Sequence, residues 1–458
     1  MIISRAKIHH DVLSVLDKLN GLGFQAYLVG GAVRDLIMFG ECRGDWDIAT
    51  NARPFQVIQA FHEYNVVPTG IKHGTVTVQM HIPIEITTFR KEGVYSDNRR
   101  PDHVTFVNSL QEDLGRRDFT FNAMAMDSTG YIFDYFHGDY SIFDETVYPV
   151  GDPLERFSED YLRMMRAIRF SSQFDFYLSD AIEEAIPKIA RNIFKVSPER
   201  IRDEFNKILL SEYPSHGLYH LQDLGLLKHI IPELDACAGF NQCNPKHNRN
   251  VFDHSIAVSM RMKPTIPLRL AGLLHDVGKP QCFSLDVNGV GHFYAHHLVS
   301  LDMTRDILTR LKYDNKTIDK VCTLVKYHMA RYEVLRPNSL KKFINKVGKE
   351  NIDELFELME SDIYASASLK SLPDLMAFKN ATNDILLACD PLSVKDLAVN
   401  GLDVMGWLNI SPGPAVGSVL DTLLEMVLED PSLNTRKALK SIVMVYFVVA
   451  RTVGITGA

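Results

Sequence analysis

The chain has 458 residues, of which 46% are hydrophobic and 23% charged, and a formal net charge of -8. That length exceeds what one hydrophobic core serves, so two to four domains are expected. No apolar run approaches the roughly 18–20 residues that span a bilayer, and the acidic balance excludes nucleic-acid binding by bulk charge, leaving only local basic patches for it.

Residues 1–20, "MIISRAKIHHDVLSVLDKLN", read as an amphipathic helix closed by Gly21 and Gly23. Charges interrupt any apolar h-region, so this is not the pattern of a secretion signal. "FQAYLVGG" predicts a short strand running into a glycine turn, "AVRDLIMFG" a helix stopped by Gly40, and "DWDIAT" a strand. Pro54 opens the helix "FQVIQAFHEY". "HGTVTVQM" and "IPIEITTFR" alternate with period two across a short turn and predict a hairpin. A basic loop, "KEGVYSDNRRPDHVTFVNS", precedes "EDLGRRDFTFNAMAMD" and the strand "GYIFDYF". Beyond about residue 150 a 3.6-residue period dominates, with long segments at 155–173, 198–210 and 251–263. The expected fold is α+β: a small mixed-sheet head followed by an elongated, all-helical remainder. Six scattered cysteines without CxxC spacing (Cys42, Cys237, Cys243, Cys282, Cys322, Cys389) argue for a reducing cytoplasm.

The strand "DWDIAT" carries the first chemical signal. Asp45 and Asp47 fall on one face of a strand, with Trp46 pointing into the packing. Carboxylates roughly 6–7 Å apart on such a face suit hard divalent cations, although the pair alone fits a polar edge strand equally well. Glu85, in "IEITTFR", offers a third carboxylate from a neighbouring strand. Upstream, Gly30 and Gly31 let the backbone approach a phosphate, the next helix presents its amides, and Arg34 adds a cationic fork.

"GGAVRDLIMFGECRGDWDIAT" resembles the active-site signature of the polymerase-β nucleotidyltransferase superfamily, in its class II tRNA nucleotidyltransferase and bacterial poly(A) polymerase branch. Gly30, Gly31, Val33, Arg34, Asp35, Asp45, Asp47 and Thr50 all match that pattern. The resemblance implies a polymerase-β-like head with Mg²⁺ at Asp45 and Asp47. "RRDFTFNAMAMD" resembles the family's ribose-handling motif, which makes Arg116, Arg117, Asp118 and Asn122 candidate nucleotide ligands.

"EDYLR" places Glu159, Asp160 and Arg163 on an expected helix, with Asp160 and Arg163 one turn apart. The plain reading is a surface ion pair. The chemical reading is a base template, because cytosine and adenine both pair a donor amine with an acceptor ring nitrogen, which a carboxylate beside a guanidinium matches. Guanine and uracil present the opposite pattern. The class II resemblance assigns this base-selecting role to Asp160 and Arg163, with Glu159 orienting the arginine and Arg166 adjoining the nucleotide; Glu155, Arg156 and Phe157 match a hinge between head and neck. "SPERIRDEFNKIL" resembles the family's last motif, a bracing helix, with Ser197 as N-cap and Pro198 at the first turn. The loop "YSDNRRPDHVTF" matches the family's flexible element for switching from cytidine to adenosine addition, which favours complete CCA synthesis.

A second signal lies in "HNRNVFDHS", "LLHDVGKP", "AHHLVS", "KYHMARYE" and "ESDIYAS". Their spacing resembles the HD phosphohydrolase superfamily and implies His254, His275, Asp276 and Asp362 as ligands of manganese, nickel, iron or zinc, with His296, His297 and His328 supporting a second metal. Such a site suggests hydrolysis of a 2′,3′-cyclic or 2′-phosphate on an RNA end. In the tail, Pro412–Gly417 feeds a helix start that suits either an RNA phosphate or nothing at all, and "NTRKALKS" adds a basic patch.

The resemblances imply four segments: a catalytic head at 1–145, a base-reading neck at 146–215, a helical body with the HD site at 216–375, and a tRNA-binding tail at 376–458. The expected activity is Mg²⁺-dependent addition of C, C and A to tRNA 3′ ends from CTP and ATP, by a monomer or homodimer not bound to membranes. The competing readings are a poly(A) polymerase, disfavoured by the lack of a strongly basic tail, and an HD phosphohydrolase whose head only holds RNA.

Overall fold

In the computed structural model, residues 2–93, 104–243, 249–331, 334–366, 369–388 and 391–447 are described. The loop matched to nucleotide switching lies largely outside them.

The head is built on a seven-stranded sheet. Its strands are β1 (Ala26–Val29), β2 (Trp46–Thr50), β3 (Asn65–Gly70), β4 (Thr75–Gln79) and β5 (Pro83–Thr88), with β8 (Met124–Met126) and β9 (Ile132–Asp134) at the far edge. A separate ribbon pairs β6 (Arg90–Glu92) with β7 (Val104–Phe106). The sheet order is β3-β4-β5-β2-β1-β8-β9, and only β2 and β5 run parallel. The sheet is therefore mixed, as the sequence predicts, and β4–β5 is the expected hairpin.

Strand alternation sends Leu28, Ile48, Ile84 and Ile86 to one face, where they meet Val12, Val15, Leu16 and Leu19 of α1 (His10–Gly21) and Ala32, Val33 and Leu36 of α2 (Gly31–Met38). The other face buries Val29, Ala49 and Phe89 against Leu110 and Leu114 of α4 (Leu110–Gly115), while α3 (Pro54–Ala60) flanks the hairpin and α5 (Gly138–Phe143) follows β9. The expected helix over residues 1–20 starts later than predicted, since Arg5–Lys7 forms a single 3₁₀ turn before α1.

The predicted helix at 155–173 is two helices, α6 (Pro153–Glu159) and α7 (Leu162–Phe174). Asp160 lies between them in extended backbone, φ -143° and ψ 105°, so it shares no helix face with Arg163. Helices α8 (Asp180–Ile189) and α9 (Pro198–Leu209) follow. Ser197 occupies the N-cap of α9 but makes no side-chain capping bond; Pro198 alone marks the start.

The chain forms two compact units, Met1–Ala236 with Ile307–Tyr313, and Cys237–Asp306 with Asp314–Ala458. The second is nearly all helical, with a two-stranded ribbon at Phe283–Leu285 and Gly291–Phe293. Among the described residues, no helix is long and apolar enough to cross a membrane.

Candidate active site

In the first unit, a cleft of about 320 Å³ is lined by Gly30, Gly31, Arg34, Asp45, Asp47, Arg117, Asp118, Asn122 and Arg166. It joins the β1–α2 turn, the start of β2, the segment after α4 and one face of α7. Register explains the carboxylates: Asp47 pairs with Val29 on one side and with Glu85 on the other, so Asp47 and Glu85 lie side by side on adjacent strands. Trp46 packs against the sheet core, and Asp45 precedes β2 and is exposed. The oxygens of the three acids do not all lie within 4.8 Å of one another. Burial, opposed by Arg117 and reinforced by Glu85 and Asp45, pushes the Asp47 carboxyl up to about 6. A buried carboxylate with two further acids beside it fits a divalent cation, which would favour its ionised form.

Gly30 has φ +70°, and a Cβ there would meet Arg117 Nη1 at 2.8 Å. Only glycine lets the turn pass between Arg117 and Asp47. Arg34 lines the cleft and is buried, with Nε and Nη2 bonded to Asp35 at 3.0 and 2.7 Å and Nη1 to Asn122 at 2.7 Å. Arg116 and Arg117 both pair with Asp113, and of the two only Arg117 lines this cleft.

Asp118 accepts from Arg166 at 2.6–2.8 Å and from Asn122 at 3.4 Å. Burial raises its carboxyl, but Arg166 and Arg163 outweigh burial and bring it down to about 2. It is therefore a fixed anion at neutral pH.

The Arg163 backbone N–H donates to the Asp160 carbonyl at 2.9 Å, while the two side chains take separate partners. Arg200 of α9 grips Asp160 bidentately, at 3.2 and 2.6 Å, and Asp160 Oδ1 accepts from the Leu162 amide at 3.1 Å. Arg163 pairs with Glu159, the predicted orienting residue, and donates to the Arg156 carbonyl at 2.9 Å. Each of the two candidate base-reading groups thus has its own holder. Arg200 and Glu204, which the sequence pattern marks only as part of a bracing helix, supply charged partners to these neck residues. They lie one turn apart on α9, and Glu204 pairs with Arg169 at 2.7 Å and faces Arg166 at 4.0 Å. The i,i+4 spacing of opposite charges on the bracing helix was their only local signal.

In the second unit, the expected histidines and acids converge in a buried cluster. His254 Nε2 lies 3.1 Å from Asp362 and 3.7 Å from Asp276. Asp276 is also approached by His275 at 3.2 Å, His296 at 3.1 Å and His328 at 3.8 Å. His275, His296 and His328 each use Nδ1 on a backbone carbonyl (Gly272, Phe293 and Val325) at 2.7–2.9 Å. That fixes the tautomer and turns each Nε2 inward, where none finds an aligned hydrogen-bond partner among the described residues. Buried, orphaned imidazole nitrogens around carboxylates are the donor set of a transition metal. Burial pushes His328 down to about 3, so its imidazole is neutral; for His275 burial acts the same way, but Asp276 and Asp362 outweigh it and raise the ring. Lys279, which the sequence reading did not single out, pairs with Asp276 at 2.6 Å. His297 stays outside the cluster, half-buried, with its ring beside that of His296.

The sheet and cleft define a nucleotidyltransferase head, and the family model "Poly A polymerase head domain" matches residues 26–147. Further models match 175–237, "Probable RNA and SrmB- binding site of polymerase A", and 292–443, tRNA nucleotidyltransferase domain 2. The chain belongs to the family of CCA-adding enzymes: it is 33% identical to the Leuconostoc mesenteroides CCA-adding enzyme over 95% of this chain and 96% of that one. It is also 34% identical to the Geobacillus sp. enzyme, over 90% and 91%. The Bacillus stearothermophilus CCA-adding enzyme, solved in complex with CTP, superposes with a TM-score of 0.69 at 28% identity, covering 96% of this chain and 98% of that one. The Thermotoga maritima enzyme complexed with tRNA shares the fold, with a TM-score of 0.57 at 18% identity over 96% and 97%.

Proposed function

We propose that this protein adds C, C and A to the 3′ end of tRNA from CTP and ATP, without a nucleic-acid template. The observation that carries this is the cleft in which Gly30, Asp45, Asp47, Arg117, Asp118 and Arg166 meet, in a chain of the CCA-adding family. Asp45 and Asp47, with Glu85 beside them, would hold Mg²⁺. Bound there, it supplies activation of the attacking RNA hydroxyl and neutralises charge on the departing pyrophosphate. Arg117 faces the triphosphate, and Asp118, held by Arg166, accepts from ribose hydroxyls. Asp160, held by Arg200, accepts the exocyclic amine of cytosine or adenine, while Arg163, held by Glu159, donates to the ring acceptor. Residues 1–145 then serve catalysis, 146–215 base selection, 216–375 the HD site and 376–458 tRNA binding.

The test is incubation with Mg²⁺, tRNA ending before CCA and each labelled nucleotide in turn. Incorporation of two C and one A is expected. Many A residues with no C would establish the poly(A) reading, and equal use of GTP or UTP would sink the template. The named CCA-adding relatives favour the tRNA reading over poly(A) addition.

A second activity follows from the orphaned imidazoles. His254, His275, Asp276 and Asp362 would hold one transition metal of the Mn, Ni, Fe or Zn group, with His296 and His328 completing the donor set. Such a metal supplies a nucleophilic hydroxide near neutral pH, and Lys279 fixes Asp276 for that role. Metal-dependent hydrolysis of a 2′,3′-cyclic nucleotide is the expected readout; no hydrolysis with any of the four metals would leave the cluster without this activity.

A further inference from the structure

We propose a transition-metal site on the head, formed by His10, Asp11 and His81, which clips the N-terminal helix to the tip of the β4–β5 hairpin. The three residues lie outside the cleft and outside the HD cluster. Asp11 opens α1 and is only 2% exposed, yet its carboxylate is ringed by imidazoles. His10 Nε2 and His81 Nδ1 each lie 3.1 Å from the same oxygen, Asp11 Oδ1. Zinc bonds of about 2.0–2.1 Å in tetrahedral array place neighbouring ligand atoms about 3.3 Å apart, close to the spacing of each of these nitrogens from the shared Asp11 oxygen.

The surroundings hold the donors in place. Asp11 Oδ2 accepts from the His81 backbone N–H at 3.0 Å, tying the hairpin tip to the helix start. His9 caps α1, accepting the Asp11 amide on Nδ1 at 3.2 Å, and its ring lies against that of His10 with centroids 4.4 Å apart. The His10 and His81 rings approach to 5.3 Å. Two imidazoles and one carboxylate suit Zn²⁺, Co²⁺ or Ni²⁺ and discriminate against Mg²⁺ and Ca²⁺, which prefer oxygen. His10 and His81 are 70% and 79% exposed at their side chains, leaving an open coordination position toward solvent. A metal here would cross-link residues 70 apart in the chain and stabilise the head.

The test uses the full chain, stripped with chelator, in a His254→Ala/His296→Ala background that disables the HD cluster. Zn²⁺ titration by calorimetry should show one tight equivalent, and Co²⁺ should give a visible absorption band. Adding His10→Ala and His81→Ala should remove both signals, weakening binding at least ~100-fold, and abolish the Zn²⁺-induced rise in Tm. Both side chains are exposed, so Mg²⁺-dependent CTP incorporation should match between the two proteins and verify folding. Equal Zn²⁺ stoichiometry and affinity in the two proteins, or no bound equivalent in either, would overturn the site and leave a purely hydrogen-bonded His–Asp network.

Discussion

Asp47 is held where several influences compete. Burial and two neighbouring acids favour the neutral carboxyl, while Arg117 opposes them. Replacing it by asparagine keeps the size and removes the cation's anchor, so Asp47→Asn should lower CTP incorporation on the order of 10³-fold with folding intact, checked by circular dichroism. Arg200 tests a different idea. Arg200→Lys keeps the charge but loses the two-pronged grip on Asp160, and the ratio of kcat/KM for CTP over UTP should fall ~10–100-fold. A helix brace with no part in base selection would leave that ratio unchanged. Asp118 carries a pH signature. Its carboxyl sits near 2 in the folded protein, below its ordinary value of 3.8. Ionisation of this pair therefore adds stability, on the order of 2 kcal/mol, that is present above pH ~5 and lost as pH falls toward 2. The stability gap between wild type and Asp118→Asn, measured by urea unfolding, should close as pH drops from 5 to 2.5.

At the scale of elements, short turns place the chemistry. The β1–α2 turn works because Gly30 adopts φ +70° and leaves 2.8 Å between its missing Cβ and Arg117. Gly30→Ala should destabilise the protein by about 1–2 kcal/mol and displace Arg117, lowering nucleotide addition as well; urea unfolding and incorporation assays read the two effects. The break between α6 and α7 is the second such device. The apolar period runs through 155–173 without interruption, so sequence predicts one helix, and no glycine or proline marks the break. Tertiary contact imposes it: Arg200, forty residues on, draws the Asp160 carboxylate out of helical register while the Leu162 amide caps onto it. The two strands that carry Asp47 and Glu85 were legible from their alternation, but their parallel pairing was not, since nothing local specifies which strands adjoin.

For the whole molecule, the candidate nucleotidyltransferase cleft and the buried His–Asp cluster belong to separate compact units. They should therefore be separable by mutation in the intact chain. His275→Ala should abolish Mn²⁺- or Ni²⁺-dependent hydrolysis of a cyclic phosphate and leave CTP incorporation within about two-fold, while Asp47→Asn should do the reverse. Loss of both activities in either variant would show that the units are coupled. The net charge of -8 fits this arrangement, because arginines gathered on α7 (Arg163, Arg166 and Arg169) supply local positive charge without a basic chain.

Local sequence pattern was enough to pick out the residues that gather in the cleft and in the buried His–Asp cluster, because a tight turn demands glycine, a strand face aligns alternate acids and a helix face aligns spaced histidines. It also determined a mixed sheet ahead of a helical remainder, since hydrophobic periodicity is a local property. Which charges pair was settled by tertiary packing: Arg34 bonds Asp35 and Asn122, Asp160 goes to Arg200 and Arg163 to Glu159. A buried charge takes the nearest partner that offsets its lost hydration, and which partner is nearest depends on packing between segments far apart in the chain.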